Sequence, residues 1–197
     1  MPRKSERNVK GEIVTAAWKL FYEQGYDETT IDDIIEASAT SKGSFYHYFE
    51  GKDDVLSSLS YLFDEKYMEL SETIDFERDS FDILLELNQE LFSMIEDTIS
   101  VELMARLYST QVISHGERNL LDHDRYYYRL LRRIINTGKQ RGEISEDITV
   151  SEAVKMYALC ERALIYDWCI CNGEYSLHDY SGKIMPLLLS KLRTSRE

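Results

Sequence analysis

Proline is nearly absent from this chain, with two residues in 197, and glycine is sparse at nine. All-β and loop-rich architectures consume more turn residues than this, so they are disfavoured. No run approaches the ~18 consecutive apolar residues of a membrane span. The opening Met1-Pro2-Arg3-Lys4-Ser5-Glu6 has no apolar stretch behind it, so no secretory signal is expected. Cysteine is limited to Cys160, Cys169 and Cys171. An odd, clustered set argues against a disulfide framework, and it lacks the second C-x-x-C pair or His cluster of a zinc site. On a helix Cys169 and Cys171 point to nearly opposite sides, as small buried or half-exposed thiols would. A thiol redox sensor is the alternative. What is present is 43% hydrophobic and 30% charged residue, which excludes disorder and suffices for a substantial core. The expectation is a soluble, cytoplasmic, helical protein.

The net charge of −13 speaks against general affinity for nucleic acid, but its distribution is uneven. Residues 1–52 hold seven Lys/Arg and nine Asp/Glu, a net −2, which leaves −11 on the rest. Within the first ten residues Arg3, Lys4, Arg7 and Lys10 face only Glu6, so a small basic arm precedes an acidic body.

Ile13, Ala16, Ala17, Leu20 and Phe21 form one amphipathic stripe, which Gly25 stops. Thr30 can cap a second helix with Asp33 at its third position, and Ser38-Ala39-Thr40-Ser41 interrupts it after Ala37. Ser41 can cap a third helix, Lys42 to Phe49, ended by Gly51. Helix, short helix, tight turn and short helix is the order of a helix-turn-helix. In the third helix Phe45 and Phe49 can anchor one face while Lys42, Gly43, Ser44, Tyr46 and His47 occupy the other. A glycine inside a helix costs about 1 kcal/mol against alanine, so Gly43 needs a reason. Close approach to a DNA groove supplies one; an aromatic-rich core helix is the alternative.

The run from Ile13 through Thr29-Thr30, Ile34, Ile35, Ala37 and Ser41-Lys42-Gly43-Ser44-Phe45-Tyr46-His47-Tyr48-Phe49 to Lys52 resembles the DNA-binding domain of TetR-family transcriptional regulators. More weakly, Ile134-Ile135, Gly138, Gly142-Glu143-Ile144, Trp168, Gly173 and a leucine-rich end are similar to the family's C-terminal domain. The resemblance implies an all-α fold: a three-helix helix-turn-helix domain over residues 1–52, then a helical effector-binding and dimerisation domain over 53–197. It implies that Ser41, Lys42, Gly43 and Ser44 face base edges and adjacent phosphates. Tyr46, His47, Thr30 and Lys52 would meet the DNA backbone, and Phe45 and Phe49 would pack inward. The sequence departs from the family in the turn, where Ser38-Ala39-Thr40 replaces Ala-Gly-Val. Ala39 must then take the glycine's conformation, at about 1 kcal/mol if φ is positive. With so few cations, non-specific DNA affinity and salt dependence should be modest. The arm of Arg3, Lys4 and Arg7 is either a minor-groove element or a disordered tail.

Beyond Lys52 successive amphipathic stretches follow: Val55 to Tyr67, Phe81 to Ile95, Leu103 to Val112, Tyr126 to Gln140, Val154 to Cys171 and Ile184 to Leu192. Loops are expected at Asp75–Asp79, Ser114–Asn119 and Gly142–Thr149. Pro186 is awkward for a helix capped at Ser181, which must start nearer Lys183 or kink. The stretch 151–172 is apolar on more than one side, so something besides its own core must cover it. A partner subunit fits, with Val154, Ala158, Ile165, Ile184, Leu188 and Leu192 as candidate dimer residues; a central core helix is the alternative. Phe63, Tyr67, Met104, Tyr108, Tyr127, Tyr157 and Trp168 could line an effector pocket, which the resemblance implies, or could be ordinary core. A charged guest would favour a lipophilic cation in so acidic a domain. Arg125, Arg129, Arg132, Arg133, Lys139 and Arg141 form a basic stripe, expected to pair with nearby carboxylates and the helix dipole, with an anionic ligand as the alternative.

The reading that joins these is a dimeric one-component transcription factor, probing a near-palindromic operator with two copies of Ser41–Phe49 and released by a small-molecule effector. Repression is the expected sign. No cofactor, metal or catalytic set is expected: His47, His115, His123 and His178 are scattered without ligand spacing, and no phosphate-binding Gly-rich loop occurs. A DNA-tethered protein-interaction module and a helical enzyme are the rivals.

Overall fold

The computed structural model describes residues 9–58, 60–113 and 119–194, and among these it is helical without a strand. One isolated antiparallel bridge joins Ile144 to Arg193. Two compact units emerge: residues 1–60 with 106–120, and residues 61–105 with 121–197. The division cuts two helices, Ser60–Thr73 after its first residue and Val101–Ile113 after Ala105.

The first unit is built on α1 (Val9–Glu23), α2 (Ile31–Ala37), α3 (Lys42–Tyr48) and α4 (Lys52–Ser57). α1 buries Ile13, Val14, Ala17, Trp18 and Phe21, so its apolar face is wider than the single stripe expected. Gly25 ends it at φ +91°, a conformation that costs an L side chain. α2 opens with a complete capping box: the Asp33 N–H donates to Thr30 Oγ1 (3.1 Å) and the Thr30 N–H to Asp33 Oδ2 (2.8 Å). Those bonds hold the Asp33 carboxyl below the usual range. α1 packs on α2, α3 and α4, and Ile13, Ile34 and Phe45 are wholly buried. The turn residue Ala39 sits at φ +50°, the strained conformation its position foretold.

The stretch expected as one helix from Val55 to Tyr67 is two, α4 and α5 (Ser60–Thr73). Ser58 caps α4, its hydroxyl bonding back to the Val55 carbonyl, and such a bond competes with helix continuation. Leu59 lies outside the described residues. Then follow α6 (Ser80–Thr98), α7 (Val101–Ile113), α8 (Tyr126–Gln140), α9 (Val150–Ile170) and α10 (Leu177–Leu188), the last trailed by a 3₁₀ turn at Ser190–Leu192.

In the second unit α6 packs on α8 and α10, and α9 on α8 and α10. α10 starts well before Ile184, capped by Ser176 rather than Ser181. Ser181 is buried, its hydroxyl accepting from Gln89 Nε2 (2.7 Å) and donating to the His178 carbonyl (3.0 Å). Pro186 falls in the final turn, where it removes the N–H that would otherwise bond the Gly182 carbonyl and leaves only two helical residues beyond it.

Candidate nucleic-acid interface and buried polar cluster

Ser41 caps α3 by accepting the Ser44 N–H at 3.0 Å, and its hydroxyl meets Ser44 Oγ at 2.8 Å. Phe45 and Phe49 turn inward with ring centroids 5.9 Å apart. That anchoring leaves Lys42, Gly43, Tyr46, His47 and Tyr48 exposed and Ser44 half-buried. Lys42 reaches the exposed Asp32, 3.5 Å away. Gly43 is the telling position. A Cβ built on it would meet nothing nearer than Ser41 Oγ at 3.9 Å, so no packing among the described residues calls for glycine there.

Thr30 is exposed at the start of α2, as is Ser41 at the start of α3. Lys52 is half-buried and engaged: its ammonium donates to the Tyr26 carbonyl (2.7 Å) and lies 4.4 Å from the centroid of the Tyr26 ring. Arg3 and Lys4 lie outside the described residues.

In the second unit the structure brings Tyr67, Tyr127 and Tyr157 together around Glu161, which sequence reasoning missed. Glu161 is 4% exposed. Its Oε2 accepts from Tyr127 Oη (2.6 Å) and Tyr67 Oη (3.5 Å), and its Oε1 from Asn88 Nδ2 (3.1 Å). Tyr157 Oη donates to the Leu84 carbonyl at 2.9 Å. Burial raises the Glu161 carboxyl above its ordinary range and pushes all three phenols up as well. A lone Glu amid apolar helix residues gives no signal in sequence; only the helix register, which sets Tyr157 and Glu161 on one face, hinted at it.

Phe63 and Met104 are buried, and Trp168 is committed to the Tyr175 carbonyl through Nε1 (3.0 Å). Tyr108 is half-buried in the other compact unit. Of the candidate dimer residues, Val154, Ala158, Ile165 and Leu192 are buried within their own unit, Ile184 is half-buried and Leu188 exposed.

The basic stripe is largely spent inside the chain. Arg125 makes two 3.1 Å bonds to Asp64, Arg141 pairs with Glu77, and Lys139 holds the carbonyls of Ser145 and Ile148. Arg129 and Arg132 donate to the carbonyls of Asp124 and His123, and Arg133 stacks 3.8 Å from the Phe76 ring centroid. Of the thiols, burial pushes Cys169 up to about 11 and raises Cys160, which lowers the thiolate that redox chemistry needs. Among the described residues no group of His, Cys, Asp and Glu could hold a metal ion. Among the described residues no helix is long and apolar enough to cross a membrane.

A capped, short, outward-facing helix packed across two others defines a helix-turn-helix DNA-binding protein. Residues 13–59 match the family model for bacterial regulatory proteins of the tetR family. The chain is 25% identical over 191 residues to the fatty acid metabolism regulator protein of Bacillus subtilis (strain 168), covering 95% of this chain and 97% of that one. Its fold matches the FadR transcriptional regulator of B. subtilis solved with stearoyl-CoA, with TM-score 0.69, 22% identity and coverage of 93% and 99%. It also matches a TetR-family regulator of Pectobacterium atrosepticum, with TM-score 0.73, 17% identity and full coverage of both chains. The chain thus carries the DNA-binding region of tetR-family regulatory proteins and is similar along nearly its whole length to transcriptional regulators of that kind.

Proposed function

We propose that this chain is a cytoplasmic, homodimeric repressor that binds a near-palindromic operator and lets go when a small molecule occupies its C-terminal unit. Residues 1–52 read DNA, and residues 53–197 carry the effector and dimer surfaces. The observation that carries the DNA-reading role is Gly43: glycine's cost in a helix is unexplained by any internal neighbour, and close approach of a major-groove edge accounts for it. Ser41, Lys42 and Ser44 would face bases and adjacent phosphates, and Tyr46, His47 and Thr30 the backbone. Lys52 acts mainly by bracing the Tyr26 turn, with its engaged ammonium available to DNA only at the cost of that contact.

The dimer surface is assigned one face over from the residues expected. On α9, Leu159 (57% exposed), Tyr166 (57%) and Ile170 (65%) recur at helical spacing, and α10 adds Leu187 and Leu188. Such a stripe is too apolar to face water and suits a two-fold partner. The stearoyl-CoA in the B. subtilis FadR structure makes long-chain acyl-CoA the effector class to test first. Effector binding would then shift the population between two dimer geometries.

The test is fluorescence anisotropy against a selected random duplex library at two salt concentrations, with Lys42→Ala and Tyr46→Ala beside the parent. Tight binding to a palindrome, lost in Tyr46→Ala and with a shallower salt slope in Lys42→Ala, is expected. No sequence-selective binding by folded, dimeric, ligand-stripped protein overturns the reading.

A further inference from the structure

Glu161 is a buried carboxylate held by hydrogen bonds, with the Arg162 charge acting on it but not in ion-pair contact. Among the described residues no Lys, Arg or His pairs with it. Arg125, the basic residue of α8 next to Tyr127, is spent on Asp64 in a two-bond ion pair. Arg162, beside Glu161 on α9, reaches the Tyr128 hydroxyl at 3.5 Å instead. The amide of Asn88 gives its nitrogen to Glu161, while its Oδ1 is buried without a partner. The cluster therefore has acceptors to spare: a carboxylate with further lone pairs and an orphaned amide oxygen. Around them stand aromatic faces, with Tyr67 and Tyr127 ring centroids 5.0 Å apart.

A buried acceptor left unpaired is costly, and a carboxylate without a cation in hydrogen-bond contact more so. A group that donates hydrogen bonds, carries positive charge and tolerates aromatic walls would satisfy every one of these atoms. A carboxylate or phosphate would add acceptors where acceptors already exceed donors.

We propose that the Glu161 cluster is a recognition site for a protonated primary or secondary alkylamine. The ammonium would bond Glu161 and Asn88 Oδ1 against the rings of Tyr67 and Tyr127. This deepens the reading that the C-terminal unit receives an effector, and it gives that effector's polar end a chemistry distinct from the acyl thioester of the B. subtilis relative. Glu161 supplies the charge, Asn88 the orphan acceptor, and Tyr127 holds the carboxylate in place.

The experiment is isothermal titration of the full-length protein with n-octylammonium, n-octyltrimethylammonium, octanoate and lauroyl-CoA, with operator release by each followed in parallel. Octylammonium should bind at least tenfold more tightly than octanoate or octyltrimethylammonium, the last having charge but no N–H donor. Glu161→Gln should weaken octylammonium binding tenfold or more, with the melting transition as the fold control. Tyr127→Phe, which keeps the ring and removes one donor, should weaken it by a smaller factor and serves if Glu161→Gln does not fold. Equal binding of octanoate, or unchanged octylammonium binding in both variants, overturns the assignment. Operator release by lauroyl-CoA without octylammonium binding overturns it too, while the effector reading stands. Octylammonium binding with no operator release by any of the four sinks the effector reading and leaves the site.

Discussion

The guanidinium of Arg106, on α7, lies 5.0 Å from the centroid of the Tyr26 ring and pairs with the neighbouring Asp27. Lys52 meets the same ring at 4.4 Å, and the Tyr26 hydroxyl donates to Asp53. Burial, then the Asp53 bond, pushes that hydroxyl's pKa far above its ordinary value, so Tyr26 remains a donor at any physiological pH. The turn between α1 and α2, the start of α4 and the second half of α7 are thus held by one aromatic ring.

Arg106→Ala removes a part-exposed ion pair and one ring contact, so its cost in stability should stay below about 1 kcal/mol. The loosened turn borders the cap of α2, and operator affinity should fall by up to about fivefold, the equivalent of 1 kcal/mol. Urea unfolding and anisotropy on the selected operator check both halves. Operator affinity identical to the parent's would show that Arg106 braces nothing the DNA-reading surface needs.

Ala39→Gly should stabilise the protein. At φ +50° the alanine Cβ is strained, and glycine relieves it, offset in part by the added freedom of the unfolded chain. The gain expected is about 0.5–1 kcal/mol, or roughly 1–4 °C in the melting temperature of a chain this size. A lower melting temperature would mean the turn holds Ala39 without strain.

These two sites mark how far the sequence is legible. The DNA-reading head is local: caps at Thr30 and Ser41, a stop at Gly25 and inward Phe45 and Phe49 all follow from residues within a few positions of each other, and each appears where spacing puts it. Less local features were hidden. Ser58 breaks a continuous apolar period because a hydroxyl bonds a carbonyl, which periodicity does not register. α10 begins at Ser176 and not at the expected Ser181, whose side chain is buried against Gln89, a contact with another helix that local spacing does not register. Glu161 was invisible because three of its four polar neighbours come from other helices. The apolar stripe of α9 was legible as surplus, but not which side its own core takes.

Gly138→Ala tests the packing of α8 in the C-terminal unit. A Cβ there would stand 2.8 Å from Ser80 Cβ and 2.8 Å from Ile144 Cγ1, well inside contact distance. The Gly138 carbonyl also accepts the N–H groups of Glu143 (2.8 Å) and Ile144 (3.2 Å), so the backbone cannot easily retreat. Overpacking of this kind costs about 1–3 kcal/mol. Thermal unfolding should report a loss of several degrees; a change within error would show that Ile144 and Ser80 yield freely.

Glu161→Gln should change how stability depends on pH. Because burial raises the native carboxyl above its ordinary value of 4.5, the folded state keeps its proton after the unfolded chain has lost it. The stabilisation is therefore complete below pH 4.5 and is lost as pH rises towards the native value, by at most about 1.4 kcal/mol per pH unit. The groups facing Glu161 do not supply an opposing step: Tyr67 from α5, Tyr127 from α8 and Tyr157 from α9 are all raised, α6 contributes the neutral Asn88, and the Arg162 charge only moderates the rise. Cys160, alongside on α9, is itself raised. Glutamine keeps the shape and cannot ionise, so the melting temperature of the variant, measured from pH 4.5 to 8, should gain steadily on the parent's as pH rises. Parallel profiles across that range would mean that the native carboxyl ionises where the unfolded one does, and that the cluster tolerates the charge without help.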